Sequence, residues 1–190
     1  MKLVAATNNH NKVSEFRALL GETFDVVTMR DVGVAIEVDE TETTFFGNAL
    51  LKAKAVSEAT GLAALADDSG LEVDALDDAP GVYSARYAGE PCDDAANNAK
   101  LLKELEGVSE RTARFVSVVV LYRPDGSYEV GEGSVEGKIL NAPRGTGGFG
   151  YDPLFFSTEL KKTFGEASPA EKNAVSHRAR AIADLSKKLS

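Results

Sequence analysis

The stretch Ala63-Ala64-Leu65-Ala66-Asp67-Asp68-Ser69-Gly70-Leu71 constrains this chain more than any other. An apolar run long enough for a buried strand ends in two adjacent carboxylates, a hydroxyl and a glycine. Delivering polar side chains at the carboxyl edge of a sheet is how α/β proteins present reactive groups. Side chains alternate along a strand, so Asp67 and Asp68 are expected on opposite sides, with different jobs. The pattern predicts that the strand stops at Asp67 and turns, Gly70 supplying a positive φ or a close backbone approach. Asp, Ser and Gly are also ordinary turn formers, and a solvated turn explains the stretch equally well when it is read alone.

The surrounding chain narrows the choice. At 190 residues it can bury one substantial core, and no Gly/Ser/Pro linker divides it, so 1–190 reads as a single domain. A formal charge of -9 argues against a nucleic-acid or anionic-membrane surface, which would need a basic face. It leaves room for a small anionic ligand, because a few local cations or a metal reverse the field inside one cleft. Cys92 is the only cysteine, so neither an internal disulfide nor a thiolate metal cage can form, and a reducing, cytoplasmic setting fits. No apolar run approaches signal-peptide or membrane-span length.

In order, Leu3–Ala6 reads as a buried strand, Asn11–Leu20 as a helix and Phe24–Thr28 as a second strand, a β-α-β opening that suggests a parallel α/β sheet. An acidic connector with Glu37, Asp39, Glu40 and Glu42 leads to a helix capped by Thr43 or Thr44 and stopped by Gly61. Phe45, Ala49, Ala53 and Val56 form its apolar face. Lys52 falls in the middle of that face and Asn48 at its edge, so Lys52 must snorkel outward or meet an anion. Glu72–Leu76 reads as continuing strand, Pro80–Gly89 as a structured aromatic loop and Asp93–Leu105 as an amphipathic helix. Phe115–Tyr122 and Tyr128–Ile139 read as antiparallel strands around the turn Pro124-Asp125-Gly126-Ser127. Ser168-Pro169-Ala170-Glu171 has the form of a capping box, and Ser176 can cap a last helix.

Four junctions carry candidate chemistry. Thr7-Asn8-Asn9-His10-Asn11-Lys12 sits at a helix N-terminus, where exposed amides and a lysine favour anions; it lacks the Walker spacing, and a plain capped helix start accounts for it too. Glu40, with Asp67 or Asp68, could form the hard-oxygen pair that Mg2+ takes when waters and phosphates fill its other positions. Gly145–Asp152 brings glycines that allow close approach and Phe149 as a flat face for a base. Lys172 with Ser176-His177-Arg178 supplies donors, the Arg178 fork being suited to a planar heterocycle with keto groups. Ser69 with His177 does not make a serine hydrolase, because no Gly-x-Ser-x-Gly elbow surrounds Ser69.

Together, these motifs resemble the inosine triphosphate pyrophosphatase family, in particular its bacterial non-canonical purine nucleoside triphosphate (dITP/XTP) pyrophosphatases. The resemblance runs from Thr7 to Arg178. It rests on Thr7-x-Asn9-x-x-Lys12, Thr44-Phe45-x-x-Asn48-Ala49-x-x-Lys52-Ala53, Ala66–Leu71, Pro80–Tyr87, Gly145–Pro153 and Ser176-His177-Arg178. It implies hydrolysis between the α- and β-phosphates of ITP, dITP or XTP to a monophosphate and pyrophosphate. It further implies Mg2+ dependence, a homodimer, and a two-lobed α/β fold around a long mixed sheet flanked by helices, with the active-site cleft between the lobes. Carried over by position, Asp68 is the general base and a metal ligand; on charge grounds, Lys12 and Lys52 would neutralise the phosphates beside it. Thr7, Asn8, Asn9, His10, Asn11 and Lys12 contact the triphosphate, and Ser69 contacts it on the phosphate side. Phe149, Gly150, Tyr151, Asp152, Lys172, His177 and Arg178 contact the base and substrate. The second metal carboxylate is Glu40, with adjacent Asp39 as the other register, and Arg86 lies in a shared motif without an assigned role. A pyrophosphatase for another modified nucleotide, or a nucleotide-binding sensor, are the alternatives; simple binding needs no general base, which speaks against the sensor.

Overall fold

A computed structural model describes residues 1–189. Its seven-stranded mixed sheet has the order β2-β1-β3-β4-β5-β6-β7, formed by β1 (Lys2–Ala5), β2 (Asp25–Thr28), β3 (Ala63–Val73), β4 (Thr112–Tyr122), β5 (Tyr128–Ile139), β6 (Phe155–Ser157) and β7 (Lys162–Thr163). The helices are α1 (His10–Leu20), α2 (Phe45–Thr60), α3 (Asp94–Glu104), α4 (Pro169–Val175) and α5 (His177–Lys188). The α/β class and the mixed sheet agree with the sequence pattern. The chain forms two compact units, and β3, β4 and β5 each run from one into the other.

The first unit comprises Met1–Asp68, Ser117–Gly133 and the chain from Arg178 on. Here β1 pairs in parallel with β2 and β3, placing Leu3 beside Val26 and Val4 beside Ala64. Strand alternation divides the apolar residues between two faces. Leu3, Ala5, Leu65, Val119 and Leu121 pack against Val13, Phe16 and Leu20 of α1 and Ala181, Ile182 and Leu185 of α5. Val4, Ala64, Ala66 and Val120 meet Ala49, Ala53 and Val56 of α2. Such two-sided burial is why these strands read as continuous apolar runs. Helix α2 is bounded as expected, Thr44 Oγ1 accepting from Gly47 N and Gly61 closing it at φ +68°.

The second unit comprises Ser69–Val116 and Ser134–His177. Its core joins Leu71 and Val73, Leu101 and Leu105 of α3, and an aromatic group in which Phe115 lies 4.5 Å from Phe155 and 5.9 Å from Phe164 between ring centroids. Strands β5, β6 and β7 pair antiparallel; β6 and β7 are too short to leave a periodic signal. The expected capping box opens α4, Ser168 and Glu171 each bonding the other's backbone N–H. Among the described residues, no helix is long and apolar enough to cross a membrane.

Two expectations fail. The strand reading of Glu72–Leu76 holds only to Val73, where β3 ends and Asp74–Leu76 forms a 3-10 turn. The chain does not turn at Asp67-Asp68-Ser69-Gly70; β3 continues through all four residues to Val73, and Gly70 has no positive φ. A strand can hold carboxylates at this depth because both aspartates find partners across it, so no polar group forces the backbone out to water.

Candidate active site

In the first unit, Asp67 and Asp68 are 2% and 4% exposed and engage different partners, as alternation requires. Asp67 Oδ2 accepts from Arg178 Nε at 3.0 Å and Nη2 at 2.8 Å, the bidentate geometry that suits guanidinium to carboxylate. Its Oδ1 stands 3.1 Å from Lys12 Nζ. Arg178 also donates to Glu15. Burial works against the Arg178 charge, but Asp67 and Glu15 more than offset it and hold the guanidinium above its usual pKa. Lys12 sits below the usual lysine range, chiefly through burial, with Lys52 and Arg178 adding repulsion.

Asp68 Oδ2 accepts from Asn48 Nδ2 at 3.2 Å, and its Oδ1 is 3.9 Å from Lys52 Nζ. Asn48 is itself fixed, accepting from Glu42 N at 3.0 Å. Lys52 meets anions rather than snorkelling: its ammonium donates to Glu40 Oε1 and, at 2.8 Å, to the Asp67 carbonyl. Burial pushes the Asp68 carboxyl up to about 6, and neighbouring Glu40 adds to this while Lys52, Lys12 and Asn48 oppose it. A carboxylate with that pKa can accept a proton near neutrality, which suits a general base.

Among the described residues, no group of three or more His, Cys, Asp or Glu side chains is arranged to hold a metal ion. Glu40 and Asp68 nevertheless converge on one ammonium, and their mutual repulsion favours a cation between them. Their hard oxygens suit Mg2+, which commonly takes one or two carboxylates and fills its remaining positions from water and phosphate. Glu40 is half-buried and paired with Lys52, while Asp39 is exposed.

The segment Thr7–Lys12 forms the start of α1. Asn9 Oδ1 caps it, accepting from Asn11 N at 2.9 Å and Lys12 N at 3.3 Å, and Thr7 Oγ1 accepts from Asn9 N. Two amides that an anion would seek are thus already used by Asn9. Asn8, His10 and Asn11 are exposed.

In the second unit, Ser69 is half-buried on β3. Asp152 Oδ2 accepts from Phe149 N at 3.0 Å and from Lys172 Nζ at 2.8 Å, and that ammonium lies 4.6 Å from the Phe149 ring centroid. Lys172, twenty residues beyond Asp152 in the chain, thus joins Phe149 and Asp152 in one cluster with a flat face and a fixed donor. Gly148 must be glycine here: its φ is +69°, and a Cβ would collide with the Asp152 carboxylate. Tyr151 is buried, its hydroxyl donating to the Ser84 carbonyl at 2.6 Å. The His177 ring stacks on Phe115 at 4.8 Å.

The sequence profile of the Ham1 family matches residues 3–188. The chain belongs to the Ham1 family. A Desulforamulus reducens protein named dITP/XTP pyrophosphatase is 55% identical over 185 residues, 96% of this chain and 92% of that one. A Geobacter sulfurreducens protein of the same name is 54% identical over 187 residues, covering 97% and 94%. Among solved structures, the Staphylococcus aureus Ham1 protein superposes with TM-score 0.88 at 41% identity, covering all (100%) of this chain and 98% of that one. The sequence motifs of this Ham1 chain do not single out Glu15, which pairs with Arg178. Glu15 could have been found: it stands three residues after Lys12, on the same face of α1.

Proposed function

We propose that this Ham1 protein hydrolyses ITP, dITP and XTP to the nucleoside monophosphate and pyrophosphate. The observation that carries the chemistry is Asp68, a buried carboxyl with its pKa raised to about 6 beside Lys52 and Glu40. The relatives named dITP/XTP pyrophosphatase, at half identity or better over nearly the whole chain, support the substrate class.

A phosphoanhydride resists water because its negative oxygens repel a nucleophile. Lys12 and Lys52 would oppose that charge, and preorganised cations are the main source of catalysis in phosphoryl transfer. Asp68 takes a proton from water as its oxygen bonds to a phosphorus of the α–β bridge. The bridging P–O bond breaks, and its electrons leave with the departing phosphate oxygen. Glu40 and Asp68 would hold Mg2+, which supplies further charge neutralisation when bound. Thr7, Asn8, Asn9, His10, Asn11 and Ser69 are assigned to the triphosphate. Phe149 stacks on the base, with Gly150, Tyr151, Asp152, Lys172, His177 and Arg178 assigned around it. A homodimer in the cytoplasm completes the proposal, supported by the family resemblance and the lone cysteine.

Selection against ATP rests on hydrogen bonds. Hypoxanthine and xanthine offer a 6-keto acceptor where adenine offers a donor, and each buried donor left facing adenine costs about 1–3 kcal/mol. The test is turnover of ITP, XTP, ATP and GTP by purified protein with Mg2+, read as pyrophosphate and monophosphate. ITP and XTP are expected to be consumed and ATP spared. Tight binding of ITP without turnover would make the protein a sensor, and equal use of ATP would reject the base selection.

A further inference from the structure

The segment that carries Phe149 and Asp152 has no regular secondary structure from Gly145 to Gly150, so its geometry depends on what holds it. One residue, Gly150, is held through both of its backbone polar groups by one helix. Gly150 N donates to Asp94 Oδ2 at 2.8 Å, and Asn98 Nδ2 donates to the Gly150 carbonyl at 3.0 Å. Asp94 and Asn98 are four residues apart on α3 and so share a face. Asn98 Nδ2 also donates to the Asp94 carbonyl at 2.8 Å, which fixes the orientation of its amide. Asp94 is exposed and is not needed to cap the helix, since Asp93 accepts from Ala96 N in that role. A carboxylate accepting a backbone N–H is a charge-assisted bond, among the stronger kinds. Gly150 itself sits at φ +61°, next to Phe149 and two residues before Asp152.

We propose that Asp94 and Asn98 are positioning residues for purine recognition, clamping Gly150 through its N–H and its carbonyl so that Phe149 and Asp152 meet the base in one preset geometry. This rests on the base-binding role assigned above to Phe149 and Asp152. A preset loop spares the ordering cost at binding, so the clamp acts on substrate affinity more than on the chemical step.

The test compares Asp94→Ala, Asp94→Asn and Asn98→Ala by steady-state kinetics with dITP and XTP, alongside inhibition by inorganic tripolyphosphate, which has no base. Asp94→Ala is expected to raise KM about tenfold with kcat nearly unchanged. Asn98→Ala moves in the same direction. Asp94→Asn, which keeps an acceptor for Gly150 N but loses the charge that strengthens the bond, brings KM part of the way back toward the wild-type value. Tripolyphosphate inhibition stays constant throughout. An unchanged KM in Asp94→Ala, an equal weakening of tripolyphosphate, or no rescue by Asp94→Asn overturns the proposal. If wild-type protein turns over neither dITP nor XTP, the assigned function fails and the recognition role fails with it. Amide hydrogen exchange at Gly150 reads the clamp separately: faster exchange in Asp94→Ala supports it and unchanged exchange refutes it.

Discussion

Asp68→Asn should make the metal-free protein more stable while removing its activity. The carboxyl is raised from 3.8 to about 6, first by burial and then by Glu40. At 1.36 kcal/mol per unit, that shift of roughly two units means ionised Asp68 costs about 3 kcal/mol of folding free energy. The native state binds the proton more tightly than the unfolded chain, so stability falls as pH rises from 3.8 to about 6. The cost is absent below the unfolded value and complete above the folded one. Asparagine removes it yet can still accept from Asn48 Nδ2, which bonds Asp68 Oδ2; what it loses is the 3.9 Å approach of Lys52. We expect a net gain of about 1–3 kcal/mol at pH 8, shrinking toward zero near pH 4, measured by urea unfolding in EDTA. Mg2+ at a hundred times its Kd should stabilise the wild type by about 2.7 kcal/mol and close much of the gap. Turnover of dITP by the variant should fall about 10²–10⁴-fold, the usual contribution of a general base. Equal wild-type and variant stability at both pH values would refute the desolvation argument, and an unchanged rate would remove Asp68 as the base.

Substitutions at three further residues probe the same chain. Lys52→Met leaves Glu40 and Asp68 facing each other without their shared ammonium, so kcat for dITP should drop about 10²-fold or more in steady-state assays. Arg178→Ala strips the bidentate partner from Asp67 and should cost about 3–5 kcal/mol in urea unfolding; Arg178→Lys, which keeps charge without the fork, should recover only part. Gly148→Ala places a Cβ against the Asp152 carboxylate at a left-handed φ, and should raise KM for dITP while leaving tripolyphosphate inhibition unchanged.

The helices were legible because their boundaries are local chemistry. Thr44, Gly61 and the Ser168–Glu171 box are seen in the residues that form them. The end of β3 was not, because Asp67 and Asp68 look like a turn until Arg178, Lys12 and Asn48 are brought beside them. Those partners lie on α5, α1 and α2, and no window of sequence contains them. The same limit hid the Asp94–Gly150 contact, which spans 56 positions. Lys52 was half legible: a lysine on an apolar helix face had to snorkel outward or meet an anion, and the pattern could not choose between them or name Glu40 and the Asp67 carbonyl as partners.

The charges of the first unit explain why its cluster suits a metal–nucleotide complex better than a bare polyanion. Lys12, Lys52 and Arg178 face Glu15, Glu40, Asp67 and Asp68, so the carboxylates outnumber the cations by one. Arg178 and Lys12 both bond Asp67, which leaves Asp68 and Glu40 to share Lys52. A triphosphate brought there alone would add negative charge to a buried group already in deficit, and desolvation would enlarge the repulsion. A divalent cation reverses the sign of that balance and draws Asp68 toward its ionised form. Burial is the first cause of the raised Asp68 pKa, and the Mg2+ proposed above would offset that cost when bound. In the proposed reaction, the positive charge that this cluster lacks would arrive with the metal–nucleotide substrate.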